Sequence, residues 1–392
     1  MTQLNLPTWP AFSSEEVETV SQILTSSRVN YWTGDEGKQF EKEFSSWTGV
    51  KYSIALANGT IALELALRSL NLSPDDEVIV SPRSFIASVS SVISTGSIPV
   101  FADVDSESGN ITPSSIAKVL TKKTKAIVCV HLAGWPCDMN SIMELANKNN
   151  IYVIEDCAQA HGASSKGKSV GSLGHIGAWS FCQDKIMSTG GEGGMVTTND
   201  ERIWKSMWEY KDHGKSYDKV SQTSPNPGFR WLHDSFGSNY RMTEIQSAIG
   251  RIQLTKMKSW TQLRNRNASF LLEVCNNFPD ILRTPVVPSI DLHAYYKFYT
   301  YVKPEGLKPG YSRNIIMEKL NQLGVPAFSG SCSEIYLESA FDNTSFRPKK
   351  RLPIAKQLGE TSLVFLVHPT LSAGDMSAMS NVVEKVLEDA SI

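Results

Sequence analysis

Between about residues 50 and 200 the chain alternates short β-rich runs with longer helical ones, and the β-rich runs are almost continuously apolar. Strands of that kind are covered by helices on both faces, whereas a strand with one wet face alternates apolar and polar residues. The pattern predicts strands at Ser53–Ala57, Glu77–Val80, Pro99–Ala102, Ala126–His131, Tyr152–Glu155, Ala178–Phe181 and Met195–Thr198. Helical stretches lie between them: Thr60–Leu70 carries Ile61, Leu65, Leu67 and Leu70 at helical spacing, and Met139–Asn147 carries Ile142, Met143, Leu145 and Ala146. Strand–helix–strand alternation implies a mostly parallel sheet in a three-layer α/β domain.

After Asp200 the character changes. Residues 201–260 read as long helices interrupted by a polar, Pro-containing loop near Ser221–Gly228. Beyond about 260 the alternation weakens, and a final amphipathic helix is expected near Asp375–Leu387. A chain of 392 residues exceeds one small core and suits a large domain with a smaller one. The expected division is a large α/β domain over 1–255 and a smaller C-terminal α+β domain over 256–392, with the transition inside a helix near 255–265.

With 41% hydrophobic and 20% charged residues and a net charge of −2, nothing in the composition suits a grip on nucleic acid. The densest basic cluster, Lys122-Lys123-Thr124-Lys125, reads as a solvated turn before a strand. Residues 1–10 show no signal-peptide pattern, and no run approaches the ~20 apolar residues of a membrane helix. The six cysteines form no C-x-x-C pair and no His/Cys spacing for zinc, so no metal site is expected. A reducing cytoplasm is the expected compartment.

The chemistry begins at the strand ending in Glu155 and Asp156. Acids at the carboxyl end of a parallel strand lie on the edge where open α/β sheets bind ligands, although Asp156 also suits a cap on whatever follows. Further on comes Ser180-Phe-Cys-Gln-Asp-Lys185 and a glycine-dense turn containing Glu192. A lone lysine there reads as a surface residue. Together the two segments suit pyridoxal phosphate (PLP), which needs a lysine amine to bond covalently and a carboxylate to keep the pyridine nitrogen protonated. Leu56-Ala-Asn58-Gly59-Thr60 joins a strand to a helix, a geometry that favours a phosphate dianion, with Ser180 as a further ligand. Phe85 suits stacking on the pyridine ring and equally suits a core. A nicotinamide site is a poor reading, since Gly190–Gly194 does not give G-x-G-x-x-G after the first strand.

These segments are long, ordered and specific. The chain resembles the DegT/DnrJ/EryC1/StrS sugar aminotransferases of PLP fold type I over nearly its whole length. The likeness runs from Gly34-Asp-Glu-Gly-Lys-Gln-Phe40 through Asn58-Gly-Thr60, Asp75-Asp-Glu-Val-Ile79 and Pro99-Val-Phe-Ala-Asp103. It continues in Glu155-Asp-Cys-Ala-Gln-Ala-His161-Gly, Ser180-Phe-x-x-x-Lys185, Gly191-Glu-Gly-Gly194, Gly237-Ser-Asn239-Tyr-Arg-Met242 and His368-Pro-Thr. The resemblance implies that Lys185 is the Schiff-base lysine and moves the proton between cofactor and substrate carbon. It implies that Asp156 pairs with the pyridine nitrogen and Gln159 bonds the ring hydroxyl. Thr60, the Gly59 amide and Ser180 would hold the phosphate, and Asn239 would cross a homodimer interface to the partner's phosphate, so that active sites are shared. Asn239 also suits a helix cap before Tyr240.

Two departures stand out: Asn58 replaces the usual serine, and Gln183-Asp184 precede the lysine. Relatives that remove a sugar hydroxyl carry histidine in place of Lys185, so that branch is not expected here. The implied reaction moves the amino group of L-glutamate to a nucleotide-linked 4-keto-6-deoxy sugar, for a surface polysaccharide such as O-antigen lipopolysaccharide or a related glycoconjugate. Alternatives are a 3-keto nucleotide sugar, a keto-inositol, or a regulatory protein that kept the fold and lost catalysis. His161 and Glu192 lie near the cofactor by sequence. His213, Lys215, Arg230 and His233, then Tyr311 and Arg313, are further candidates for a diphosphate on charge alone.

Overall fold

The computed structural model describes residues 3–222 and 228–392. Most of the loop expected near Ser221–Gly228 lies outside the described residues. All seven expected strands are present: β1 (Tyr52–Leu56), β2 (Glu77–Val80), β3 (Ile98–Phe101), β4 (Thr124–Val130), β5 (Tyr152–Asp156), β6 (Ile176–Ser180) and β7 (Gly194–Thr198). They form one sheet in the order β1-β7-β6-β5-β4-β2-β3. The pairs from β3 to β6 are all parallel, and only β7 runs against its neighbours β6 and β1. The sheet is therefore mostly parallel, as the apolar runs implied.

Only Glu77–Val80 matches expectation at both ends; most other ends shift by one residue, and two starts shift by two for readable reasons. Strand β4 starts two residues early because pairing with β2 continues through the basic turn, with the Lys125 side chain exposed. Strand β6 starts at Ile176, next to a glycine-dense stretch that resembles turn sequence.

Successive side chains of a strand point to opposite faces, and both faces are covered. Ile54, Leu56, Val78, Val80, Val128 and Ile154 pack with helices α1 (Gly59–Arg68), α2 (Ala87–Ser94) and α4 (Glu201–Lys211). On the other face Ile79, Ile127 and Val153 meet Met139, Ile142 and Ala146 of α3 (Met139–Lys148). Further along that face Ala55, Trp179 and Met195 meet Phe40 and Phe44.

The 33-residue helix α5 (Glu244–Asn276) starts at a Thr243–Gln246 capping box and runs through 255–265. Its last turns, with Ala268, Leu271 and Val274, join a separate core. That core is completed by α6 (Ala373–Ala390) and by an antiparallel sheet of β8 (Leu282–Arg283), β9 (Phe298–Val302), β10 (Ala327–Phe328) and β11 (Ser362–Phe365) in the order β8-β9-β11-β10. Among the described residues no helix is long and apolar enough to cross a membrane.

Candidate active site

A cavity of about 590 Å³ opens at the carboxyl ends of β1, β5 and β6. Gly59, Thr60, Phe85, Asp156, Gln159, Ser180 and Lys185 all line it. Seven of the eight site residues expected from the sequence are thus brought together from four separate segments. Asn239 is the exception: it is exposed and lies outside the cavity of its own chain.

The two carboxylates ending β5 part company because neighbours in a strand face opposite ways. Glu155 turns beneath the sheet edge and is fully buried. There it accepts the Gly171, Leu173 and Gly174 amides and meets His131 Nε2 at 2.9 Å. Asp156 turns toward the cavity; its Oδ2 accepts the Ser88 hydroxyl at 2.7 Å and its Oδ1 the Ala158 amide at 3.2 Å. The capping alternative is thus present as a local turn, with no helix behind it. Burial raises the Asp156 pKa above the usual carboxylate value, while the hydrogen bonds and Lys185 pull it down. A cation placed against this carboxylate would relieve that burial cost.

The Gln159 side-chain oxygen accepts the Ala133 amide at 2.8 Å, which leaves its NH2 for the cavity. Phe85 is 66% exposed on the cavity wall, so the core alternative fails. Lys185 has a side chain only 16% exposed, unlike the surface lysine it resembles in isolation. Its ammonium sits 3.3 Å from Asp184 Oδ1 and 5.2 Å from the Tyr296 ring centre. The Tyr296 hydroxyl donates to Asp184, and Trp9 Nε1 donates to the Lys185 carbonyl at 2.8 Å.

Asn58 caps α1, its oxygen accepting the Ile61 amide at 2.9 Å. The Gly59 and Thr60 amides of that first turn find no acceptor among the described residues, which suits an anion. A Cβ at Gly59 would lie 2.5 Å from the Ser180 Cβ, so the cup is closed tightly around these two residues. Gly59→Ala should therefore weaken cofactor binding by roughly 10-fold or more, the cost of about one displaced charged hydrogen bond. A spectroscopic titration of the apoprotein with PLP measures it, and an unchanged Kd would remove Gly59 from the cup.

Of the remaining candidates, all but Glu192 fall outside. His161 is fully buried against Trp179 and Phe181, and its two ring nitrogens have no partner among the described residues. Burial drives its pKa down to about 3, so it stays neutral and packs. Glu192 reaches the cavity wall. Lys215 is tied to Asp212 at 3.2 Å, Tyr311 accepts Lys319 Nζ at 2.6 Å, and Arg313 donates to the Ser362 carbonyl at 2.7 Å. His213, Arg230 and His233 likewise do not line this cavity. Ser88, Tyr296 and Trp9 are contributors that sequence reasoning missed, and Asp184, noted there only as a departure before the lysine, is a fourth.

A covered, mostly parallel sheet with a lysine, a buried carboxylate and an anion cup at one edge defines a PLP-dependent aminotransferase. Known proteins agree. The model of the DegT/DnrJ/EryC1/StrS aminotransferase family matches residues 5–386. The X-ray structure of the aminotransferase from Psychrobacter cryohalolentis superposes with a TM-score of 0.97 at 58% identity, covering 98% of this chain and 99% of that one. The GDP-perosamine synthase of Caulobacter vibrioides is 35% identical over 385 residues, covering 96% of this chain and 97% of that protein. The UDP-N-acetyl-3-dehydro-alpha-D-glucosamine 3-aminotransferase of Acidithiobacillus ferrooxidans is 32% identical over 373 residues, covering 94% and 92%. The chain belongs to the DegT/DnrJ/EryC1/StrS aminotransferase family and is a PLP-dependent sugar aminotransferase.

Proposed function

We propose that this enzyme transfers the amino group of L-glutamate to the keto carbon of a nucleotide-linked 4-keto-6-deoxy sugar, yielding an amino sugar for a surface glycoconjugate. The observation that carries the reading is one cavity holding Lys185, Asp156 and Gln159 together beside an anion cup. The same set argues against a regulatory protein that has lost catalysis. A 3-keto nucleotide sugar is the second reading, favoured by the 3-aminotransferase relative of Acidithiobacillus.

When bound, PLP supplies an electron sink for the bonds around the amine-bearing carbon. The chain's own residues do the rest. Gly59, Thr60 and Ser180 would take the phosphate, and Phe85 would cover the ring. Asp156, kept in place by Ser88, would hold a proton on the ring nitrogen. The Gln159 NH2 would serve the ring hydroxyl. Lys185 Nζ, aimed by Asp184 and Tyr296, moves the proton at the reacting carbon.

Asn239 completes the site of a second copy in a homodimer. It is exposed, sits outside its own cavity, and is followed by a helix whose cap is Thr243 rather than itself. The loop before it exposes Phe229 (79%), Trp231 (80%) and Phe236 (99%), aromatic surface of the kind that partners cover. Mixing Asn239→Ala chains with Lys185→Ala chains should restore activity that neither has alone. If every mixture stays inactive, the sites are self-contained. The substrate is tested by loading the amino group from L-glutamate, then adding dTDP-, GDP- and UDP-keto sugars and identifying the amino product. Amination confined to 3-keto substrates would move the assignment to the second reading.

A further inference from the structure

A second cavity, of about 430 Å³, lies beside the first and shares Asp184 with it. Its walls come from the N-terminal segment with Trp9, from α5 through Arg264, from Tyr296 and Lys297, and from the C-terminal part through His368. Arg264 is the unusual element. Its residue surface is only 2% exposed and no carboxylate pairs with it among the described residues. Nη1 donates to the carbonyls of Tyr295 and Tyr296 at 3.2 and 3.4 Å, while Nε has no partner. The guanidinium lies 5.2 Å from the Trp9 ring.

A buried guanidinium without a counter-ion is costly, and burial lowers its pKa to about 9. The other groups facing the cavity do not neutralise it. Asp184 is already engaged by Tyr296 and Lys185. Lys297 adds a second cation. His368 is held neutral by burial and by Arg264, with a pKa lowered to about 4, and stacks on Trp9. The cavity therefore sets two cations against one engaged carboxylate, with mostly apolar walls elsewhere, which suits a carboxylate on a short methylene stem.

The path from this cavity to the reacting amine is one tyrosine long. The Tyr296 carbonyl accepts from Arg264, while its ring lies against Lys185 Nζ. We propose that this cavity receives the side-chain carboxylate of a dicarboxylic amino donor and that Arg264 is its charge partner, while the sugar enters through the larger cavity. The proposal rests on L-glutamate being the donor. It gives the enzyme a way to take a small dicarboxylate and a bulky sugar nucleotide in turn, with separate determinants for each.

The test separates the two half-reactions of the holoenzyme, each followed by cofactor absorbance in a single turnover. Arg264→Gln should lower kcat/KM for L-glutamate by roughly 10- to 100-fold, the range for one charged hydrogen bond. The half-reaction with the amino-sugar product should stay within about 2-fold, and Arg264→Lys should recover part of the loss. The preference for L-glutamate over L-alanine should shrink by the same factor. Equal losses in both half-reactions, or none, would overturn the subsite. Should the variant fail to fold, a crystal of the wild-type enzyme soaked with glutarate decides the matter: a carboxylate on Arg264 supports the proposal and density elsewhere overturns it. A wild-type enzyme that does not react with L-glutamate at all refutes the donor assignment instead, so the two failures are distinguishable.

Discussion

Replacing Lys185 by alanine should lower transamination by about 10⁴-fold or more, because in the proposed mechanism the amine is both the covalent anchor and the proton carrier, and positioned proton transfer alone contributes about 10²–10⁴. The structural cost should be small. The Lys185–Asp184 contact leaves the aspartate side chain 58% exposed, and exposed pairs contribute about 0–1 kcal/mol. The variant should therefore fold, keep its Tm within a few degrees, and take up PLP reversibly in the phosphate cup. Two measurements check this. Borohydride reduction of the wild type followed by peptide mass mapping should place a pyridoxyl group on Lys185, and a single turnover with L-glutamate should be lost in the variant. A label on another lysine, or retained turnover, would remove Lys185 from the chemistry.

What made this lysine legible was its company rather than its own sequence. The strands of the central sheet were readable because they are buried on both faces and so carry unbroken apolar runs. Their ends then located Asp156, Ser180 and the Gly59–Thr60 turn on one edge, since parallel strands finish on the same side. The reading failed where partners are distant in sequence and close in space. Nothing in the serine-rich helix α2 marks Ser88, rather than Ser90 or Ser91, as the one that reaches Asp156. Tyr296 meets Asp184 across 112 positions and Trp9 meets Lys185 across 176, so no local pattern carries either contact. Glu155 and Asp156 stand side by side at the ligand-binding end of the strand in sequence. The two-residue period of the strand separates them into a buried structural acid and a cavity-facing one.

That separation gives Asp156→Asn opposite effects on activity and on apoprotein stability. The carboxylate is 5% exposed and its pKa is raised by burial. A folded-state pKa above the unfolded value of 3.8 means that the native apoprotein binds more protons than the unfolded chain. By linkage this carboxyl makes the fold lose stability as pH rises from about the unfolded value through the raised one. At neutral pH the apoprotein carries the full cost, and asparagine, of the same shape and uncharged, should remove it. Apo Asp156→Asn is thus expected to be at least as stable as apo wild type, with the difference fading toward acid pH. The holoenzyme should behave in the reverse sense. A protonated ring nitrogen against a buried carboxylate forms a pair whose one-sided removal costs about 3–5 kcal/mol, or roughly 10²–10⁴-fold in rate. Adding PLP should then raise the Tm of wild type more than that of the variant. Thermal melts of both proteins, with and without cofactor, at pH 5 and pH 7.5, separate these contributions. A variant that loses apoprotein stability at pH 7.5 would show that Asp156 braces the fold. One that keeps its rate would show that the ring nitrogen finds its partner elsewhere.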